Sequence, residues 1–485
     1  MDQAVTTKKI LRLLLIASLV VIFSVLIAKK GIMIGMVGAV LPFLIIFLLS
    51  MFKNPEMGLW IIFTLSYFVL GIIRYLPMPL GLAIDGLLIL THISILVKYF
   101  YDKRIYKKSK SALTTLAAIW YMYGLFQLVN PETVSREAWF YAMRGVSLQM
   151  LLIVPLVFML FDKHKNLTRF LHMWMAFALL GMLKALIQKN FGVDPWEQKW
   201  LDGGGDVTHI LFGKLRIFSF FSDAGQFGAH MGHTGTVFAI LAINAPTNKL
   251  KRIYGFTAAL FLYGMLISGT RGAMAVPIGG FAMYLILKKN IKLIVSGGAV
   301  ALIFYIFIAH TSIGQSNYDI ARLRSAFDPN NPSLQVRLEN QKKLKSYLAS
   351  RPFGGGIGSA GNWGQRFTPN TFLANTPTDS WFVMIWAEQG VIGLSLHLFI
   401  LFFVLIKSSR NIMFKIRDDW LKTQLTAITA GMFGIMLASY GNGILGQMPT
   451  GIIMYMGFAF MFMGPKFDEE IEKSKKTATL KSKNE

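Results

Sequence analysis

Apolar runs of about 17 to 25 residues recur along this chain from Ile10 to Met463, each parted from the next by a short charged or polar joint. A run of that length matches the hydrocarbon thickness of a bilayer. Its backbone finds no water there and must close its own hydrogen bonds as a helix. The expected fold class is therefore all-α, a polytopic integral membrane protein of about fourteen transmembrane helices. The runs fall at 10–28, 32–52, 57–73, 79–100, 112–129, 146–162, 167–187, 224–245, 253–268, 272–287, 292–312, 381–406, 423–440 and 450–464. One long polar interval, 313–380, interrupts them.

Composition agrees with a membrane chain. Of the 485 residues 54% are hydrophobic and only 15% charged, against roughly 25% charged in an ordinary soluble domain. The net charge of +25 would suit nucleic acid in a soluble protein, but here basic residues mark cytoplasmic loops and anionic headgroups. The bilayer is the expected partner and nucleic acid is not. The absence of cysteine rules out disulfides and thiolate chemistry.

Lysine and arginine also orient the chain. The joints at 101–110, 163–169, 249–252, 288–292 and 407–422, with the tail from Lys466, are basic and fall on one side of this count, which is therefore cytoplasmic. Lys29 and Lys30 depart from that rule. Lys8, Lys9 and Arg12 precede the first run, which lacks a small-residue cleavage site and is expected to be an uncleaved span. Segments 130–145, 188–223, the joint at 268–272 and the 313–380 loop then face outward. That loop carries Arg322, Arg324, Arg337, Lys342, Lys343, Lys345, Arg351 and Arg366 against Asp319, Asp328, Glu339 and Asp379. A translocated loop this basic runs against the topology rule, and an anionic ligand is the simplest reason for it.

Within the loop, Asn331 and Pro332 read as a helix start and Pro352 as its stop. Leu334, Leu338, Leu344 and Leu348 share one face, as in an amphipathic helix lying on the outer membrane surface. The following PFGGGIGSAG, with Gly355 and Gly356, is either a backbone nest for a phosphate or a flexible hinge.

The loop closes on TPTDSWFVMIWAEQGVIGL. An outward loop with a basic helix, then RPFGGGIG, then a polar pair before an apolar E-x-G-x-x-G-L run, resembles the O-antigen ligase and O-antigen polymerase superfamily. SGTRGAMAV at 268–276 resembles its Ser-x-x-Arg-Gly joint, and RIFSFFSDAGQFGAHM at 216–231 its Arg-x-Phe segment. The resemblance covers about 210–400. It implies three regions: N-terminal transmembrane helices at 1–209, a ligase- or polymerase-like membrane domain at 210–465, and a charged cytoplasmic tail at 466–485. It further implies a glycosyltransferase of the bacterial cytoplasmic membrane, acting at its outward face. Such an enzyme moves glycan from a polyprenyl-pyrophosphate carrier to a glycan, lipid A core or protein acceptor, as in O-antigen or exopolysaccharide synthesis. No cofactor and no metal are implied. Arginines of the joint and loop carry function in the family, which places the expectation on Arg271 and Arg337, with Arg216 from the earlier segment.

The chemistry favours the same residues. Glycosidases protonate a poor leaving group with a carboxylic acid. A pyrophosphate leaves as a stable anion, so fixed positive charge can replace the acid, and arginine's planar fork suits it. Arg271 sits between two apolar segments, where a lone arginine costs about 2.5–3.5 kcal/mol unless paired; snorkelling to headgroups is the alternative. Arg337 alternatively solvates a surface helix, and Arg216 alternatively anchors the membrane edge. Arg322 and Arg324 are expected as supporting charge at the substrate.

One general base is then enough. The histidine common in the family's polar pair is replaced here by Thr378 and Asp379. Asp379 is the natural substitute and equally a helix N-cap; Asp223 has the same two readings. Glu388, inside a span, suits pairing or packing better than catalysis. His230 and His233 share a helix face without a third metal ligand. Trp363, Trp381 and Trp386 offer faces for sugars or for the membrane's aromatic belt, and Trp381 is the one assigned to substrate. A transporter or flippase for lipid-linked glycan is the competing class, but no second copy of the 210–400 pattern appears in residues 1–210.

Overall fold

The computed structural model describes residues 32–76, 78–211, 213–312 and 331–484, with positions 17, 18, 21, 24, 25, 324 and 325. Most of the run expected at 10–28, and Arg322, lie outside the described residues. The regular structure among the described residues is helical but for one two-residue hairpin, β1 (Ile210–Leu211) against β2 (Lys214–Leu215). The principal helices are α1 (Ile32–Lys53), α2 (Pro55–Tyr75), α3 (Leu80–Lys98), α4 (Ala112–Phe126), α5 (Arg136–Met143), α6 (Gln149–Leu160), α7 (His164–Phe191), α8 (Pro195–Trp200), α9 (Ala224–Ile243) and α10 (Asn248–Ile267). They continue with α11 (Ala275–Lys288), α12 (Ile291–His310), α13 (Pro332–Leu348), α14 (Gly361–Phe367), α15 (Trp381–Phe414), α16 (Asp419–Ala438) and α17 (Thr450–Asn484).

Among the described residues, 8 helices are long and apolar enough to cross a membrane. The protein is an all-helical membrane protein. The run expected at 272–287 falls in α11, whose 14 residues are fewer than the roughly 17 a span needs. The run at 224–245 falls in α9, whose glycines, histidines and threonines make it a poor lipid-facing helix. Helix α17 runs unbroken from the expected last span into the charged tail.

The interior position of α9 explains that composition. Nearly all its side chains are buried, and it packs against α10, α16, α11 and α7. Helix α16 is similarly central, with 83% of its most apolar stretch buried. Between apolar helices in a bilayer, close approach of small residues replaces the hydrophobic effect as the adhesive. A Cβ on Gly434 of α16 would fall 2.2 Å from the Val276 carbonyl oxygen of α11, so only glycine lets those two backbones meet.

Local signals start the helices where capping chemistry predicts. Ser111, Ser135, Asp223, Thr247 and Asp418 each accept a first-turn N–H with their side chains. Helices α5 and α6 are joined by a π-turn at Arg144–Leu148, where Trp120 donates its indole N–H to the Val146 carbonyl at 2.7 Å. Helix α15 breaks at Gly390, with φ 68° and ψ −171°. The Pro352 carbonyl lies 2.0 Å from where a Cβ there would stand, so the glycine-rich stretch seats on the break.

Helix α13 departs from the expected amphipathic rod. Leu344 and Leu348 are buried against Val383, Ala387 and Leu373, while Leu334 and Leu338 are about 40% exposed. Only its C-terminal half docks on the bundle. Replacing Gly434 with valine is expected to cost about 1–3 kcal/mol by overpacking, seen as a lower unfolding temperature in detergent; unchanged unfolding would contradict the α11–α16 contact.

Candidate functional site

The Ser-Gly-Thr-Arg-Gly joint is a compact turn. Helix α10 ends at Ser268, and Gly269 reverses the chain with φ 59°, a left-handed conformation that glycine adopts freely. The Ser268 hydroxyl accepts the Thr270 N–H at 3.2 Å, and the Thr270 hydroxyl donates to the Ala224 carbonyl at 2.9 Å. A 3-10 turn from Arg271 to Met274 then leads into α11. Arg271 thus leaves a rigid corner, half-buried, with Nη1 donating to the Ser325 hydroxyl at 3.1 Å.

Arg216 joins the same corner: its Nη2 donates to the Thr270 hydroxyl at 2.8 Å and its Nη1 to the Thr208 carbonyl at 3.1 Å. The segment from Arg216 to Asp223 is bent by Ser219, which has φ 52°. Gln188 holds that bend, accepting the Ser219 N–H at 2.8 Å. Arg74, at the end of α2, lies over Trp200 at 4.6 Å and Phe218 at 4.4 Å and donates to the carbonyls of Ser219 at 2.7 Å and of Phe221. His209 is 3% exposed beside Trp200. Burial holds its imidazole below the usual histidine range even though the Gly205 carbonyl opposes that shift.

Asp223 caps α9, accepting the Gln226 N–H at 2.9 Å on one oxygen and the Ser222 hydroxyl at 2.8 Å on the other. The capping reading therefore describes Asp223. For Asp379 it does not, because Ser380 is the N-cap of α15 and accepts the Val383 N–H. Asp379 instead adopts φ 49°, a strained left-handed conformation for a residue with a side chain. It faces Arg337, whose Nε lies 3.7 Å from the carboxylate, both side chains remaining partly exposed.

These segments meet at the turn after α16. The Trp381 N–H is shared by the Ser439 and Asn442 carbonyls at 3.0 and 3.3 Å, which ties the start of α15, and Asp379 with it, to that turn. A Cβ on Gly272 would lie 2.4 Å from the Asn442 amide nitrogen, and one on Gly441 would lie 3.9 Å from an Arg337 guanidinium nitrogen. A Cβ on Gly225 would lie 2.8 Å from an Asp223 oxygen and 3.6 Å from the Asn442 amide oxygen. The turn at 441–442 thus has the Arg271 corner, the Arg337–Asp379 pair and the Asp223 cap around it. The buried Asn442 amide nitrogen makes no hydrogen bond among the described residues.

Residues 256–398 match the family model described as O-antigen ligase. This stretch is similar to an O-antigen ligase domain. The match covers less than a third of the chain, and comparison with curated proteins gives no match. Together with the apolar helices, that similarity supports a membrane protein of polysaccharide biosynthesis with a glycosyltransferase-like region. Arg271, Arg337, Asp379 and Trp381 lie within the matched residues; Arg216 and Asp223 precede them.

Gly355, Gly356 and Trp381, within the matched residues, are placed differently from expectation. The Gly355 and Gly356 N–H groups are donated to the Ala387 and Glu388 carbonyls at 2.9 and 2.8 Å. Those two donors are spent on seating the stretch against α15. A hinge is not what is built either, because Gly354, Gly356 and Gly358 have backbone atoms packed where a Cβ would go. Arg324 donates to the Thr311 hydroxyl at 3.3 Å, one residue before the Ser325 that Arg271 contacts. Trp381 turns its indole inward, donating to His397 at 2.9 Å. His230 is buried with Nε2 2.7 Å from the Tyr67 hydroxyl.

Sequence reasoning passed over Arg74 and Asn442. Arg74 had the signal used for Arg271, a lone arginine at the end of an apolar run. Asn442 had none beyond its place in a glycine-rich turn. Replacing Asp379 with glycine removes the left-handed strain, of roughly 1–2 kcal/mol, so that variant is expected to unfold at or above the native temperature; a clear drop would show that the carboxylate supports the fold.

Proposed function

We propose that the protein transfers glycan from a polyprenyl-pyrophosphate carrier to an acceptor hydroxyl at the outward face of the cytoplasmic membrane, as a polymerase or ligase of O-antigen or exopolysaccharide. The observation that carries this reading is that the Arg271 corner, through Gly272, and the Arg337–Asp379 pair, through Arg337, both lie against the 441–442 turn, from segments far apart in sequence. Segment 313–380 is read as the extracytoplasmic loop that delivers Arg337.

In this mechanism the acceptor oxygen attacks the anomeric carbon, the bond from that carbon to the phosphate oxygen breaks, and the diphosphate departs with the electron pair. Arg271 and Arg337 hold the charge that develops on it, with Arg216 fixing the Arg271 corner through Thr270 and Arg324 adding charge nearby. Preorganised donors of this type contribute several kcal/mol where charge appears. The Asn442 amide nitrogen offers the diphosphate a further donor. Asp379 takes the acceptor's proton, and Arg337 beside it stands between base and leaving group. Asp223 is bound into the wall as a cap and shapes the site.

The test is incubation of the purified protein with a polyprenyl-pyrophosphate oligosaccharide, resolved on a gel. A ladder identifies a polymerase; transfer only to added lipid A core or protein identifies a ligase. Unchanged glycan together with movement of lipid between leaflets would overturn the reading in favour of a carrier. Arg271→Lys keeps the charge and loses the fork, so its turnover is expected to fall about 100-fold with unfolding unchanged. Native turnover in that variant would contradict the role of the guanidinium.

A further inference from the structure

On the other side of the 440–449 segment lies a cavity of about 670 Å³, within the range of roughly 300–1,000 Å³ typical of small-ligand sites. Ser222 and Gln447 line it and are joined by a 2.8 Å hydrogen bond, and Ser222 also bonds Asp223, so the cavity shares a wall with the arginine cluster. Trp381 lines it as well, one residue from Ser380 and two from Asp379.

Two features of the cavity are unexplained by diphosphate chemistry. Glu388 reaches it from α15 and is 1% exposed. One carboxylate oxygen accepts the Ala360 N–H at 3.2 Å and the Gly358 N–H faces the same group, but the second oxygen makes no hydrogen bond among the described residues. A carboxylate has about four acceptor positions, and leaving a buried one unused is costly. A buried carboxyl with an unused oxygen calls for a hydroxyl or amide partner. The second feature is an aromatic wall: Tyr141 and Trp363, both lining the cavity, stack at 5.0 Å with planes 16° apart. Flat apolar faces beside a hydrogen-bond acceptor are the two demands a sugar ring makes on a site.

We propose that this cavity is a sugar subsite, taking an uncharged hexose or N-acetylhexosamine unit of the glycan next to the reacting one, with the free oxygen of Glu388 accepting from its hydroxyl or amide groups and Trp363 covering its apolar face. This rests on the transferase reading and extends it from the diphosphate to the glycan. Glu388 is a binding and positioning residue here.

The experiment is a saturation-transfer NMR titration of the full chain in detergent with neutral tri- and tetrasaccharides of hexose and of N-acetylhexosamine. Saturable binding in the millimolar range or tighter is expected for at least one class. Glu388→Gln keeps an oxygen for the Ala360 N–H and replaces the unused carboxyl oxygen with an amide nitrogen that cannot accept, so binding should weaken about tenfold with unfolding unchanged. Trp363→Ala, on a partly exposed helix, should weaken it similarly. Farnesyl phosphate should not displace the sugar. No binding by either class, unchanged affinity in both variants, or displacement by farnesyl phosphate, which would make the cavity a lipid groove, each overturns the proposal. Because binding is read without transfer, a chain that binds sugar here but never transfers glycan contradicts the transferase reading alone. A chain that transfers glycan with sugar affinity unmoved in both variants contradicts this subsite alone.

Discussion

The site depends on one small contact, the Asn442 side chain lying against the bare α-carbon of Gly272 while the Asn442 carbonyl takes the Trp381 N–H. A Cβ at Gly272 would meet the Asn442 amide first, so the bare glycine is what lets the Arg271 corner and the α16 turn pack closely with that side chain between them. That suits the chemistry, since a preorganised donor helps only if it does not have to move as charge develops.

Holding arginines at such a place carries its own cost. Each guanidinium needs its remaining N–H groups satisfied without being neutralised, and the structure does this mainly with carbonyls and hydroxyls. Arg216 uses Thr270 and Thr208, Arg74 uses the carbonyls of the bent 219–222 segment, and Arg271 uses Ser325. Contacts of this type orient a planar fork. Arg337 is paired with Asp379 at 3.7 Å, longer than the about 2.7–2.9 Å of a tight ionic hydrogen bond.

Much of this was legible in the sequence, for reasons that vary by element. The helices were, because a bilayer forces long apolar runs into helices. Arg271 and Arg337 stood out because charge is scarce in such a chain. The division between cap and carboxylate was not: Thr378, Asp379 and Ser380 are all good capping residues, and only the backbone conformation assigns the cap to Ser380 and turns Asp379 outward. Gly355 and Gly356 looked like a nest because exposed N–H groups and donated N–H groups have the same sequence. What decides between them is the break at Gly390, forty residues beyond Ser350, which supplies the carbonyls. The run at 224–245 read as a span like the others, and the meaning of its small and polar residues shows only once α9 is seen packed among other helices. Asn442 stayed hidden, since its importance comes entirely from what packs against it.

The central claim is that guanidinium groups from the 268–272 joint and from α13 converge on one diphosphate. The measurement that tests it most directly is a structure of the full chain in a lipid nanodisc with a polyprenyl diphosphate bound. The account predicts the diphosphate beside the 441–442 turn, contacted by both Arg271 and Arg337. A diphosphate seated elsewhere, with those two arginines facing separate surroundings, would contradict it.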